Sequence, residues 1–133
     1  MSDHKALARR FLTEVLGAGR FDLLDELLAP GFLDRSLPSG LTPRMAIEGF
    51  RSGFPDVAVS VDHQTEEGET VISRWTARAT HSGEFYGVPA TGKPITMEGF
   101  SEYRFENDRM AEAWVSYDQL GLLQQLGAIP APV

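Results

Sequence analysis

Val71-Ile72-Ser73-Arg74-Trp75-Thr76-Ala77-Arg78-Ala79-Thr80-His81 sets a small or apolar row against a polar one at a period of two. Successive side chains of an extended chain point to opposite faces, so this stretch reads as a half-buried β-strand. Val71, Ser73, Trp75, Ala77, Ala79 and His81 take the inward face; Arg74, Thr76, Arg78 and Thr80 take the outward one. The same period recurs in Val57-Val59-Val61, in Ile95 to Phe105 and in Met110 to Asp118, which gives four strands. Glu67-Gly68-Glu69 and Asn107-Asp108 carry hairpin-turn chemistry, and Gly83 to Lys93 is a longer connection rich in Gly and Pro.

Upstream of the strands the period lengthens to that of a helix. Ala6, Leu7, Phe11, Leu12, Val15 and Leu16 predict an amphipathic helix over Asp3 to Ala18, closed by Gly17 and Gly19. A second helix is expected from Phe21 to Leu28, stopped by Ala29-Pro30-Gly31, and a short extended piece follows at Phe32 to Arg35. Thr42-Pro43 reads as an N-cap with proline at the first helical position of a third helix that Pro55 blocks. Gln119 to Leu126 returns to a short helix. Helices followed by an antiparallel sheet make an α+β domain.

The 133 residues, 42% hydrophobic and 23% charged, suit one domain, taken as residues 1–133 with 127–133 as a tail. With no cysteine, a disulfide scaffold, a thiol nucleophile and thiolate metal sites are excluded. The apolar runs are too short for a membrane span, and no secretory signal opens the chain, so a cytoplasmic protein is expected. The net charge of −7 falls after residue 55, where five basic residues stand against twelve acidic ones. Such a surface repels a phosphate backbone, so no nucleic acid is expected as partner.

In the strand from Ile95, Met97, Gly99, Ser101, Tyr103 and Phe105 take the inward face, and Glu98, Phe100, Glu102, Arg104 and Glu106 the outward one. In the last strand Ala111, Ala113, Val115 and Tyr117 go inward, and Met110, Glu112, Trp114, Ser116 and Asp118 outward. An inward row of Gly99, Ala77, Ala79, Ala111 and Ala113 either leaves a cavity or lets the helices pack closer. Outward Phe100 and Trp114 on a charged face suggest a homodimer contact, or are simply exposed or covered by the C-terminal tail.

Several segments together resemble the SnoaL-like polyketide cyclases. They are Gly83-Glu84-Phe85-Tyr86-Gly87-Val88-Pro89-Ala90-Thr91-Gly92-Lys93, Arg104-Phe105, Met110-Ala111-Glu112-Ala113-Trp114 and Asp118 to Gly127. Leu28-Ala29-Pro30-Gly31-Phe32 and Phe54-Pro55-Asp56 extend the likeness over nearly the whole chain. The resemblance implies the nuclear transport factor 2-like fold, a curved sheet wrapped around helices into a cone with one deep apolar pocket, as in ketosteroid isomerase. It also implies cofactor-independent chemistry, since the best-known members close a ring of an anthracycline precursor by intramolecular aldol condensation. The family's common Glu-His-Trp-Asp supplies an acid/base Asp and a nearby His. Here the stretch reads Glu112-Ala113-Trp114-Val115, so the resemblance implies that both titratable groups are replaced, by Ala113 and Val115. Asp118 matches a second family Asp on the outward row and does not inherit that role.

Two titratable residues stay in view as catalytic candidates. His81 ends an inward row at a position where relatives also carry His; it serves as a base or caps the strand end. Asp34 falls where relatives place a polar pocket residue and near where ketosteroid isomerase has its general base; it serves as a base or pairs with Arg35. Ser101, Tyr103 and Tyr117 offer inward hydroxyls for a carbonyl or an enolate, and buried tyrosines also serve simply as core. Phe32, Phe50, Phe54, Trp75, Ala113 and Val115 are expected to line the apolar wall. His4, His63 and His81 show no ligand spacing, so no metal site is expected.

These readings favour a cyclase- or isomerase-type acid/base enzyme acting on a small apolar carbonyl metabolite, outside the ordinary aldol route. The alternative is a non-catalytic dimer that binds a hydrophobic small molecule. A third, epoxide hydrolysis, needs an Asp-Arg-Asp set inside the cone, whereas Arg74, Arg78 and Arg104 fall on outward rows.

Overall fold

In the computed structural model, which describes residues 3–130, the period-two segments pair into one curved five-stranded sheet. The strands are β1 (Leu28–Asp34), β2 (Ala58–Glu67), β3 (Thr70–Thr80), β4 (Pro94–Glu106) and β5 (Arg109–Tyr117), in the order β1-β5-β4-β3-β2. β1 runs parallel to β5 and the other neighbours are antiparallel. Gly68, at φ +59°, makes the β2–β3 turn. Asn107 and Asp108 both take positive φ between β4 and β5, as a turn matching the right-handed strand twist requires.

The sheet has one strand more than the alternation predicts. The helix expected to reach Leu28 ends at Leu27, and Ala29-Pro30-Gly31 is strand rather than a stop. β1 lies at the sheet edge and its register breaks between Leu28 and Leu33, the setting in which proline removes no ladder hydrogen bond.

Two bulges overturn single face assignments. In β5 the register passes from Arg104↔Glu112 to Phe105↔Met110, so Ala111 is an extra residue and Met110, expected outward, is fully buried. In β2 the register slips between Val61 and His63, and the extra Asp62 accepts a 2.6 Å hydrogen bond from Thr76 Oγ1. Thr76 is therefore buried on what the alternation makes the outward row.

The helical segments close one face of the sheet. Asp3 caps α1 (His4–Arg10), which continues as a π-helix from Phe11 to Leu16 instead of one uniform helix. A 3₁₀ turn, Phe21–Leu23, leads into α2 (Leu24–Leu27). Thr42 Oγ1 accepts from Met45 N–H at 3.2 Å and Pro43 opens α3 (Pro43–Gly53), as its sequence predicts. α4 (Gln119–Gln125) packs against β4, and residues 131–133 of the expected tail lie outside the described residues. Among the described residues no helix is long and apolar enough to cross a membrane.

Gly83 anchors the long β3–β4 connection. The Gly53 carbonyl at the end of α3 accepts from both Ser82 N–H and Gly83 N–H, and a Cβ at position 83 would stand 2.1 Å from the Ser52 carbonyl oxygen. Only glycine permits that approach, which carries Glu84, Phe85 and Tyr86 to the open side of the sheet.

Candidate functional site

The inward face of β3, β4 and β5 forms one wall of a cavity of about 900 Å³, and the π-helix and α3 form the other. Nine of the residues singled out in the sequence line it. Phe32 and Asp34 come from β1, Phe50 from α3 and Trp75 from β3; Ser101 and Tyr103 come from β4, and Ala113, Val115 and Tyr117 from β5. Phe11, Leu12, Leu41 and Phe85, which strand alternation does not reach, add to the apolar surface.

Two hydrogen-bonded groups interrupt this apolar lining. Asp34 Oδ1 accepts from the Ser36 backbone N–H at 2.9 Å and from Ser36 Oγ–H at 2.5 Å, and Val115 N–H donates to Ser36 Oγ at 3.1 Å. Oδ2 of Asp34 has no hydrogen-bond partner among the described residues. Arg35, its expected ion-pair partner, turns to Glu112 at 2.8 Å. Ser36 was missed because alternation stops at Asp34, although an Asp that accepts from the amide two residues on is a recognised turn signature.

The second group centres on Ser101. Trp75 Nε1–H donates to Ser101 Oγ at 2.9 Å, and Tyr103, two residues on along β4, shares the inward face with Ser101. The indole is donor only, so Ser101 accepts from it. Burial pushes the Tyr103 phenol well above its usual value, and the Asp34 charge pushes it further, so it stays a neutral donor. Tyr117 stands at the exposed end of the cavity and donates to Gln119 Oε1 at 3.2 Å.

Two of the expected residues are not brought to the wall. Phe50 and Phe85 line the cavity, Phe54 packs behind them at ring distances of 4.8 and 5.1 Å, and His81 packs behind Phe54 at 5.3 Å. Thr91 N–H donates to His81 Nδ1 at 3.2 Å, and Thr91 Oγ1 lies 2.9 Å from the same nitrogen. Nδ1 is thus an acceptor and Nε2 carries the ring proton, buried without a hydrogen-bond partner among the described residues. His81 therefore ties the β3 end to the loop that carries Phe85, across two aromatic rings from the cavity.

Asp34 and Glu84 are the only Asp, Glu, Lys, Arg or His side chains on the cavity lining among the described residues. Arg74 and Arg78 are exposed, and Arg104 pairs on the outer face with Glu106 and Glu112, at 2.8 and 2.7 Å. No three His, Cys, Asp or Glu side chains among the described residues converge as a metal site.

No curated protein matches the chain. Solved structures do. AclR, a candidate hydroxylase of Streptomyces galilaeus, is 28% identical with a TM-score of 0.86, over 96% of this chain and 97% of that one. A candidate polyketide cyclase from Acidithiobacillus ferrooxidans is 28% identical with a TM-score of 0.84, covering 96% of each chain. IdmH, a candidate polyketide cyclase from Streptomyces antibioticus, is 29% identical with a TM-score of 0.80, over 95% of this chain and 99% of that one. The family model for the SnoaL-like polyketide cyclases matches residues 6–126. The chain belongs to the SnoaL-like polyketide cyclase family.

Proposed function

We propose that the chain is a cofactor-independent acid/base enzyme of cyclase or isomerase type, acting on a small apolar carbonyl compound held in the cavity. One observation carries the reading: Asp34 reaches an apolar wall with one oxygen fixed by Ser36 and the other unpartnered, on the same cavity lining as the neutral hydroxyl of Tyr103 and one strand away from it across Ala113. Asp34 Oδ2 takes a proton from the carbon next to the substrate carbonyl, and the electron pair moves onto the carbonyl oxygen. Tyr103 O–H donates to that oxyanion. The enolate carbon then attacks a second carbonyl, or is reprotonated at another position, and Asp34 returns the proton.

The base in this scheme stands on β1, whereas the resemblance puts the family Asp and His where this chain has Val115 and Ala113. His81 does not act in it, because two aromatic rings separate it from the cavity. Epoxide hydrolysis has no support, since no arginine lines the cavity among the described residues.

A screen of cyclic and aromatic ketones with the purified protein and a chelator, and no added cofactor, tests the reading. The expected result is a product of unchanged mass, or lighter by one water, formed about 10²- to 10⁴-fold more slowly by Asp34→Asn. Turnover that Asp34→Asn leaves intact rejects Asp34 as the base. Binding of the same ketones without turnover favours the second reading, a non-catalytic carrier. Exposed Phe100 and Trp114 on the outer sheet face support a homodimer under either reading.

A further inference from the structure

The charge of the cavity has a consequence for what it holds. Its two full charges, Asp34 and Glu84, are both negative, and no lysine, arginine or histidine lines it among the described residues. Each nearby arginine is engaged elsewhere. Arg35 turns to Glu112 at 2.8 Å, Arg44 pairs with Glu48 and lies over the Phe21 ring, and Arg51 donates to the carbonyls of Leu16 and Gly17 at 3.0 and 2.8 Å. At the start of α3, which borders the cavity, Met45 N–H donates to Thr42 Oγ1, Ala46 N–H to the Thr42 carbonyl, and Pro43 has no N–H, which leaves one backbone donor, Arg44 N–H, in the first turn.

A carboxylate brought into this space loses its water and gains no cation, and half-buried Asp34 repels it more strongly than exposed Glu84 does. A protonated amine meets the reverse. The charges of Asp34 and, at the open side, Glu84 attract it, with Asp34 Oδ2 still free for proton transfer, and the aromatic rings of Phe50, Trp75 and Phe85 on the same lining suit a cation. The net charge of −7 favours the approach of a cation as well.

We infer that the cavity selects by charge: it takes apolar molecules that carry a protonated amine, tolerates neutral ones, and rejects carboxylates. This rests on the proposed use of the cavity for an apolar ligand and narrows the substrate to a basic carbonyl compound without a free acid.

Three probes of one skeleton test it: 1-naphthylmethylamine, 1-naphthylmethanol and 1-naphthoate, titrated calorimetrically into the full chain at pH 7. The amine is expected to bind at least tenfold more tightly than the acid, with the alcohol between them. Asp34→Asn/Glu84→Gln is expected to bring the amine to within about twofold of the alcohol measured on the same variant. The single variants report on each carboxylate if the double variant does not fold. Naphthoate binding as tightly as the alcohol overturns the inference but leaves the apolar cavity standing. An amine preference that survives the double substitution also overturns it, by assigning the effect to the overall surface charge. Binding of none of the three overturns both the inference and the reading on which it rests.

Discussion

The indole of Trp75 lies against the backbone of Gly99, its β4 partner, so closely that a Cβ at position 99 would stand 2.4 Å from Cζ2 of the ring. No positive φ demands glycine there, so the requirement comes from the neighbouring side chain. The contact lays the indole across β4 so that Nε1–H meets Ser101 Oγ at 2.9 Å. Gly99→Ala is expected to tilt the indole, break that hydrogen bond and cost about 1–3 kcal/mol, the usual range for overpacking. Chemical denaturation measures the loss and near-UV circular dichroism reads the indole. Adding Trp75→Phe should recover part of the stability, and strictly additive effects would show that the two residues are not coupled.

Tyr103→Phe separates two roles of one hydroxyl. Loss of the oxyanion donor is expected to lower kcat by about 10²- to 10³-fold, with KM changed much less. Stability supplies an independent readout with a definite sign. Burial raises the Tyr103 phenol above its usual value of 10.0, so above pH 10 the unfolded chain releases this proton while the folded chain keeps it. The natural protein therefore loses stability relative to Tyr103→Phe as pH rises through 10, until the folded-state value is reached. Parallel alkaline profiles of the two proteins would show that Tyr103 does not titrate from a buried neutral state.

Most of the fold is legible in the period of the sequence, and the exceptions have local causes. Ile95 to Phe105, and Val71 to Ala79 apart from Thr76, read correctly because each strand pairs on both sides and buries one whole face. Met110 and Thr76 do not, because an extra residue in β5 shifts the faces beyond it, and one in β2 turns Asp62 over Thr76, and neither leaves a mark on composition. Only the Phe32 to Asp34 part of β1 reads as extended, because Pro30 and Gly31 are breakers except at an irregular sheet edge. The cavity follows the same division. Residues on strands were found from their inward rows, whereas Ser36, Glu84 and Phe85 sit on loops whose direction depends on distant contacts. His81 illustrates the limit of a face assignment: its row points inward, yet Phe54 and Phe50 lie between its ring and the cavity.

His81→Ala is expected to weaken the fold and spare the chemistry. The ring is fully buried against Phe54 and holds Thr91 N–H, so its removal leaves a cavity and an unpaired amide, at a cost of about 2–4 kcal/mol. Among molecules that remain folded, kcat is expected to match the natural protein, measured well below the lowered melting temperature. A fall of tenfold or more in kcat at intact ligand affinity would bring His81 back into the reaction.

Trp114 tests what covers the outer sheet face. Its side chain stays 41% exposed and that of Phe100 55%, with the chain described through residue 130, so the segment up to Pro130 does not cover them. Ile72 adds a third exposed apolar side chain on β3, opposite Glu102, which in turn stands opposite Trp114. A stable dimer buries about 800 Å² on each partner, with aromatic anchors near its centre, and these side chains can supply them. Trp114→Glu places a carboxylate beside Glu102 and Glu112, so pairing this face with a second copy would bring like charges together from both sides. Sedimentation velocity is expected to show a dimer for the natural chain and a monomer for Trp114→Glu, with ligand affinity unchanged because Trp114 does not line the cavity. A natural chain that sediments as a monomer, or a variant that remains dimeric, removes this face from the assembly.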